Sequence, residues 1–170
     1  MQDEVLFSEK QRFRQFWLWI ILLCLNIFFI DRTVRELLMA EQFGGTPMGD
    51  TGLVISTIIS LLVTLLIGTT RLDTMIKHDG IYVRFFPFHF KFRKYSWETI
   101  SQVFVRKYKP ISEYGGWGYR LGLFGKGKAF NVSGNQGIQL VFTNGSKLLI
   151  GTNRPNEVKE ALQQTGRVIN

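Results

Sequence analysis

The chain has 170 residues, of which 45% are hydrophobic, 20% are charged and 14% are aromatic. This apolar fraction excludes a disordered chain, and the glycines follow no three-residue period, which excludes a collagen-like one. The formal net charge of +8 originates in the last hundred residues, where sixteen Lys or Arg stand against six Asp or Glu. The only cysteine, Cys24, lies in an apolar run, so we expect no disulfide framework and no cysteine-based metal site.

Two uncharged runs, at residues 15–30 and 52–70, predict membrane-spanning helices. A hydrocarbon core of about 30 Å needs about 20 helical residues, so the second run spans by itself and the first spans with its flanks, to about residue 32. A signal peptide is disfavoured because Ile30-Asp31-Arg32 lacks the small residues of a cleavage site. We therefore predict a transmembrane helical hairpin over residues 15–70.

The basic residues that flank the two runs predict the orientation of this hairpin. Three of them precede the first run, and Arg71 and Lys77 follow the second, whereas the connecting segment has only Arg32 and Arg35. Because basic flanks stay on the cytoplasmic side, we expect a multi-pass protein of the inner membrane with both termini cytoplasmic. Residues 1–14 are then a cytoplasmic segment. The connecting segment should continue the helix over residues 31–43 and break at Gly44-Gly45-Thr46-Pro47.

After Arg71 the hydrophobic period changes from helical to two, which predicts strands. In residues 88–93 the aromatics Phe88, Phe90 and Phe92 should face inward, and the polar residues between them should face water. Asn144-Gly145 is the strongest hairpin signal in the chain. In all we predict about seven short strands from eight segments with strand character, the shortest being 119–121: residues 74–78, 81–86, 88–93, 100–108, 119–121, 128–132, 137–143 and 147–152.

The chain ends in a predicted amphipathic helix. Thr152 or Asn153 can cap it, Pro155 suits its first turn, and Gly166 ends it after an apolar stripe at Val158, Ala161 and Leu162. Short antiparallel strands followed by one helix give a small barrel or sandwich that the helix plugs. The predicted fold class is therefore an α+β membrane protein: a two-helix hairpin, then a cytoplasmic pleckstrin-homology-like domain over residues 71–170.

Several motifs resemble a known family. They are Asp79-Gly80-Ile81-Tyr82-Val83-Arg84-Phe85 with Pro87-Phe88, Trp97-Glu98-x-Ile100, Tyr108-x-Pro110-Ile111-x-Glu113-Tyr114-Gly115-Gly116-Trp117-Gly118-Tyr119-Arg120, Gly134-Asn135-x-Gly137 and Ile150-Gly151-Thr152-x-x-Pro155. Together they resemble a family of small, uncharacterised bacterial membrane proteins in which two helices precede a pleckstrin-homology-like domain. The resemblance covers nearly the whole chain. It implies a fold and a membrane placement, and it brings no catalytic residue.

The sequence predicts no enzyme, no cofactor and no metal site. Residues 122–129 have the spacing of a phosphate-binding loop, but Ala129 stands where a Mg²⁺-binding Ser or Thr is needed, and a strand pattern follows instead of a helix. His78 and His89 have no histidine partner one helical turn away, and His89 is expected on the solvated face of a strand. Neither histidine therefore indicates catalysis or metal binding.

A glycine-rich loop is the first of two candidate sites. It contains Glu113, Tyr114, Gly115, Gly116, Trp117, Gly118 and Arg120. A structural role is the favoured interpretation, with the Trp117 ring packed on the core and Glu113 paired with Arg120 or Arg106. A ligand site in this loop is the alternative.

A basic surface is the second candidate, and we expect it to meet anionic phospholipids of the inner leaflet. Its predicted members are Lys91, Arg93, Lys94, Arg106, Lys107, Lys109, Lys126 and Lys128. The alternative is orientation by charge without a preferred lipid. Nucleic acid is disfavoured as a partner because the aromatic residues of the strands are expected to point inward.

These observations predict a membrane-associated binding or scaffold module whose principal partner is the bilayer. The alternative is an accessory subunit of a larger transporter or envelope complex, with a membrane protein or a second copy of the chain as partner. Small polar residues in the helices suit close contacts with another helix, although they could equally serve the hairpin itself. These residues are Asn26, Ser56, Thr57, Ser60 and Thr64.

Overall fold

The computed structural model describes residues 4–39, 50–122 and 125–166. Its elements divide into two compact units, a pair of long helices at residues 14–69 and a β-rich domain formed by the rest. In chain order they are β1 (Val5–Arg12), α1 (Phe16–Met39), α2 (Asp50–Thr69), β2 (Arg71–Lys77), β3 (Gly80–Phe86), β4 (Arg93–Ser96), a short 3-10 helix (Trp97–Thr99), β5 (Ile100–Lys107), α3 (Pro110–Tyr114), β6 (Gly118–Leu121), β7 (Lys128–Asn131), β8 (Gln136–Phe142), β9 (Lys147–Gly151) and α4 (Pro155–Gln164).

Both long helices contain a stretch that is long and apolar enough to cross a membrane. These stretches are Phe16–Glu36 and Thr51–Thr69, of 21 and 19 residues. At 1.5 Å per residue they match a hydrocarbon core of about 30 Å. Only 11% and 6% of them is buried, which is unlike the core helix of a soluble domain. Large apolar side chains, such as Phe16 at 74% and Leu65 at 62% exposure, cover their outer faces.

Polar side chains join α1 to α2. The side-chain amide of Asn26 donates to the hydroxyl oxygen of Thr64 at 2.7 Å, and the Ser60 hydroxyl donates to the side-chain oxygen of Asn26 at 3.1 Å. Nearer the other end of the pair, the hydroxyls of Thr33 and Thr57 share a hydrogen bond of 2.7 Å. Such bonds fix the register of two helices where no water competes. Four of the five small polar residues singled out in the sequence, Asn26, Thr57, Ser60 and Thr64, therefore bond across the hairpin.

The prediction that the first helix continues past residue 31 is confirmed, because α1 runs to Met39. The predicted break at Gly44-Gly45-Thr46-Pro47 lies outside the described residues.

The first sheet is an antiparallel meander in the order β1-β2-β3-β4. Its first strand is a finding that the sequence did not predict, because residues 1–14 were expected to be only a cytoplasmic segment. The strand β1 pairs with β2 across the hairpin insertion, with Arg12 opposite Arg71 and Val5 opposite Lys77. Phe7, Glu9 and Gln11 of β1 are buried, so its inward face alternates as a half-buried strand should.

Two buried polar side chains attach β1 to the other end of the chain. The Glu9 carboxylate accepts hydrogen bonds from the Thr152 hydroxyl at 2.7 Å and from the Asn153 backbone N–H at 3.0 Å. The Gln11 amide donates to the Gly151 carbonyl oxygen at 2.7 Å. The N-terminal strand is therefore an integral part of the domain.

The second sheet has the order β5-β8-β9-β7-β6. Most of its pairs are antiparallel, but β7 runs parallel to β9, which corrects the all-antiparallel prediction. The predicted Asn144-Gly145 turn joins β8 to β9, with Gly145 in the left-handed region at φ 80°. The strands of the described residues form two separate sheets, and no strand pairing among those residues closes them into a barrel.

Both sheets and α4 contribute to one hydrophobic core. From the first sheet it takes Leu72, Ile81 and Phe85, each 0% exposed, and from the second sheet Ile138 and Ile150, also at 0%. The predicted stripe of α4 is confirmed, because its three apolar residues are buried and the helix contacts β1, β5 and β8. Pro155 starts α4 and Gly166 follows it at φ 69°, as the sequence predicted.

The predicted strand at residues 88–93 is wrong. Pro87, which cannot donate to a ladder, follows β3, and the Phe86-Pro87 peptide bond is cis. The His89 N–H then donates to the Phe85 carbonyl oxygen at 2.8 Å, which closes a turn, and pairing resumes only at Arg93. The predicted faces are reversed at residues 88–90, since Phe88 and Phe90 are 55% and 73% exposed whereas His89 is 8% exposed. Lys91 and Arg93 are exposed, as predicted.

Candidate functional site

One end of the first sheet is where the chain passes to and from the helices. Arg12, the last residue of β1, lies opposite Arg71, the first residue of β2, and Arg71 lies opposite Phe86, the last residue of β3. The helix α1 begins at Phe16 and α2 ends at Thr69. Two chain connections and the loop that follows β3 therefore share this end of the sheet.

That loop, residues 87–92, is here called the aromatic loop. Its backbone is held by the buried His89, whose ring packs edge-to-face on Tyr119 and Phe130 with ring centroids 5.6 and 5.5 Å apart. Burial, and then the positive charges of Arg93 and Lys128, hold the pKa of His89 below its ordinary value. A neutral imidazole therefore anchors a loop whose flanking phenylalanines point outward.

Two of the predicted surface bases are engaged in ion pairs. The Lys94 ammonium lies 2.7 Å from the Asp79 carboxylate, and this contact holds the pKa of Asp79 below its usual value. The Arg106 guanidinium binds both oxygens of Glu113 and also the Gln139 side chain. Hydrogen bonds from Arg106 lower the pKa of Glu113. The charge of both bases is therefore largely neutralised within the domain.

The other six predicted bases carry side chains that are largely exposed, and none of them takes part in an ion pair among the residues that the structure describes. They are Lys91, Arg93, Lys107, Lys109, Lys126 and Lys128. Two of these, Arg93 and Lys128, line one open cleft, while the others are distributed along the chain from the aromatic loop to the loop before β7. The structure thus divides the predicted basic surface into a cleft and a set of separate charges.

The cleft has a volume of about 760 Å³ and lies beside β4, between the loop that precedes β7 and the turn that joins β8 to β9. Three bases line it, Arg93, Lys128 and Lys147, and its described lining contains no Asp or Glu. The rings of Tyr95 and Phe142, with centroids 5.5 Å apart, supply apolar wall. A polar anion attached to an apolar group suits such a lining.

Lys147 was missed as a member of this site. It follows the Asn144-Gly145 turn as the first residue of β9, so the sequence assigns it to a hairpin and gives no sign of its neighbours. Residue 127 needs to be glycine here, because a Cβ at Gly127 would lie 2.2 Å from the Lys147 carbonyl oxygen. The turn and the loop therefore approach each other closely at the cleft.

The glycine-rich loop follows α3. Gly115, at φ 70°, ends α3 in the left-handed region, and its N–H donates to the Ile111 carbonyl oxygen at 2.8 Å. Tyr114 is 2% exposed and belongs to a small cluster with Tyr108, whose pKa burial raises to about 12. Of the two pairs predicted for Glu113, the one with Arg106 is present, at 2.8 Å.

Trp117 does not occupy the core position that the sequence predicted for it. Its ring is only partly buried and its N–H donates to the Gly134 carbonyl oxygen at 3.0 Å. The Arg120 guanidinium donates to the Trp117 carbonyl oxygen, and the Gly118 N–H donates to the Asn131 side chain. Tyr114 therefore provides the buried aromatic group, and the loop is ordered by bonds to its own backbone and to the adjacent strands.

No group of three or more His, Cys, Asp or Glu that could hold a metal ion occurs among residues 4–39, 50–122 and 125–166. Comparison of the chain with protein-family models, with curated proteins and with solved structures finds no match.

Proposed function

We propose that this chain is an integral membrane protein whose domain has a pleckstrin-homology-like fold and binds anionic lipid headgroups at the cytoplasmic leaflet. No catalytic step is part of this proposal. The cleft formed by Arg93, Lys128 and Lys147 is the observation that carries it, because three cations without an acidic neighbour in the described lining suit a phosphate group.

The strand order supports the proposed fold. The four strands of the first meander are followed by β5, β8 and β9, which are antiparallel neighbours, and then by α4. These are seven antiparallel strands and one closing helix, the order that the resemblance implies. The hairpin is then an insertion between β1 and β2, and α3, β6 and β7 are an insertion between β5 and β8.

The pairing of β1 with β2 supports the proposed topology. Since Arg12 and Arg71 are opposite each other in one sheet, the chain leaves the domain and returns to it on the same side of any bilayer that the helices cross. The basic residues next to these connections support a cytoplasmic location for that side.

The structure favours the accessory-subunit alternative less than the sequence did. Its discriminating features were the small polar residues of the helices, and Asn26, Ser60 and Thr64 bond to one another across the hairpin. That alternative becomes the better one only if the cleft binds no anion.

The topology can be tested by cysteine labelling in intact cells. In a Cys24→Ser background, Thr46→Cys should react with a membrane-impermeant maleimide and Asn144→Cys should react only after permeabilisation. His78→Cys, in the exposed β2–β3 turn, is a second cytoplasmic position. Labelling of residue 144 in intact cells would exclude the proposed orientation and the contact with the inner leaflet.

Anion binding can be tested on the full chain in nonionic detergent. We expect a short-chain phosphatidylglycerol to raise the melting temperature, by mass action on the folded state, and a short-chain phosphatidylcholine to have a much smaller effect. Replacing Arg93, Lys128 and Lys147 together by Gln should weaken binding about 100-fold, at about 1 kcal/mol per base.

The matched control removes the same charge elsewhere, by replacing Lys107, Lys109 and Lys159, all exposed, with Gln. It should leave binding nearly unchanged. Equal losses in the two triple variants would mean that only total charge matters, and the proposed headgroup site would be abandoned. If even low salt gives no binding, the basic residues face a protein partner.

A further inference from the structure

The aromatic loop at residues 87–92 exposes large apolar side chains outside the core of the domain. Phe88 and Phe90 are 55% and 73% exposed, although both are next to the buried His89. Exposed phenylalanines occur singly on many soluble domains, but two on one short loop are apolar exposure of the kind that marks a contact surface. Lys91 is exposed beside them.

The loop holds these rings outward in a fixed conformation. The His89 N–H is bonded to the Phe85 carbonyl oxygen, and the His89 ring packs edge-to-face on the rings of Tyr119 and Phe130. Phe88 stacks on Tyr119 at 6.0 Å, and Phe90 meets the edge of Phe86 at 5.5 Å. The exposure of the two rings is therefore built into the fold.

The sheet register places this loop at the end where the chain joins the helices. Phe86, Arg71 and Arg12 are level with one another across β3, β2 and β1. Only Thr70 lies between α2 and β2, and three residues lie between β1 and α1. The aromatic loop therefore lies at the sheet end from which the chain continues, after three residues and one residue, into α1 and α2.

We propose that the aromatic loop inserts into the interfacial region of the bilayer, with Phe88 and Phe90 at the acyl boundary and Lys91 at the phosphates. The partner is the lipid surface itself. Phenylalanine is among the apolar side chains that interfacial segments bury at the headgroup–acyl boundary, and a base beside it is attracted to anionic headgroups. This inference rests on the membrane placement proposed above but not on the headgroup cleft.

Site-directed spin labelling of the full chain in vesicles tests the insertion. In the Cys24→Ser background, single cysteines Phe90→Cys and His78→Cys carry the nitroxide. His78 lies in the β2–β3 turn, at the opposite end of the same seven-residue strands and so about 20 Å away. Collision with oxygen, which concentrates in lipid, is compared with collision with a water-soluble nickel complex, in vesicles of phosphatidylcholine alone and with added phosphatidylglycerol.

We expect the label at residue 90 to favour oxygen over nickel several-fold in both kinds of vesicle, and the label at residue 78 to favour nickel. Because the effect should persist in phosphatidylcholine alone, loss of anion binding by the cleft leaves this result intact. A label at residue 90 that stays fully accessible to nickel in both vesicles overturns the inference. Shielding of residue 90 in native membranes but not in pure lipid overturns it too, in favour of a protein partner.

Discussion

Phe85→Ala is expected to destabilise the domain by about 3–5 kcal/mol, the usual cost of removing a fully buried phenylalanine. Phe85 is 0% exposed, and its ring lies 5.8, 6.4 and 6.0 Å from the rings of Phe88, Tyr119 and Phe130. Its loss leaves a cavity in the middle of an aromatic cluster that also anchors His89. Urea unfolding of the full chain in detergent micelles, followed by near-ultraviolet circular dichroism, measures the change.

Phe90→Ala is the matched control, because it removes the same side chain from an exposed position of the adjacent loop. At 73% exposure it should cost no more than about 0.5 kcal/mol. The predicted strand, with Phe90 facing inward, would imply a large cost for this substitution, so the pair of variants separates the two assignments of the loop. Equal costs at residues 85 and 90 would contradict the turn described here.

Asp73→Ala is expected to cost about 3 kcal/mol. Asp73 is 2% exposed and accepts two hydrogen bonds from the Arg84 guanidinium, at 2.7 and 2.9 Å, with Arg71 3.3 Å away. Removing one member of a buried ion pair leaves the partner charge uncompensated, which usually costs 3–5 kcal/mol. We expect a cost at the lower end of this range because the side chains of Arg84 and Arg71 are 23% and 33% exposed, so water partly solvates their charges. The same unfolding measurement applies.

The comparison for this prediction is Asp79→Ala, which removes the partner of Lys94. That ion pair is 46% and 32% exposed, so its loss should cost at most about 1 kcal/mol. A cost for Asp73→Ala as small as that for Asp79→Ala would mean that water screens both pairs alike, contrary to the burial of Asp73.

Elements with a strong local period were predictable from the sequence. The two helices, the Asn144-Gly145 hairpin and α4 with its Pro155 start and Gly166 end all follow from spacing and turn chemistry. The predicted cap of α4 is wrong, because its N-cap is Arg154 and not Thr152 or Asn153. The strand β1 was not predicted, although Leu6 and Phe7 lie within it, because its partner is β2, nearly sixty residues later in the chain. Nothing local distinguishes such a segment from a polar terminal extension.

The aromatic loop shows why alternation alone was insufficient. Phe88, Phe90 and Phe92 alternate with polar residues as a strand would, yet Pro87 has already ended the ladder, and the turn that follows buries His89 instead. A pattern of period two predicts which residues share a face only if the segment is extended. The wrong strand prediction falls on the loop for which we propose a bilayer contact.

The sequence predicted that the candidate site consists of basic residues, but it did not predict which of them are paired with acids or which lie together in space. Lys94 and Arg106 proved to be paired with acids, Asp79 and Glu113. Lys147 lines the same cleft as Arg93 and Lys128, although more than fifty residues separate Lys147 from Arg93 in the chain. Charge counts give the size of a basic excess, whereas the sheet topology decides which members act together.

The strand that precedes the hairpin has a consequence for biogenesis. During synthesis β1 leaves the ribosome before its partners. Its residues Phe7 and Glu9, which are buried in the folded domain, stay exposed until β2 and then Thr152 have been made. If only one of the two helices crossed the membrane, β1 and β2 would end up in different compartments and the first sheet could not assemble. Formation of this sheet therefore requires β1 and β2 to be in one compartment, which is compatible only with an even number of membrane crossings between them.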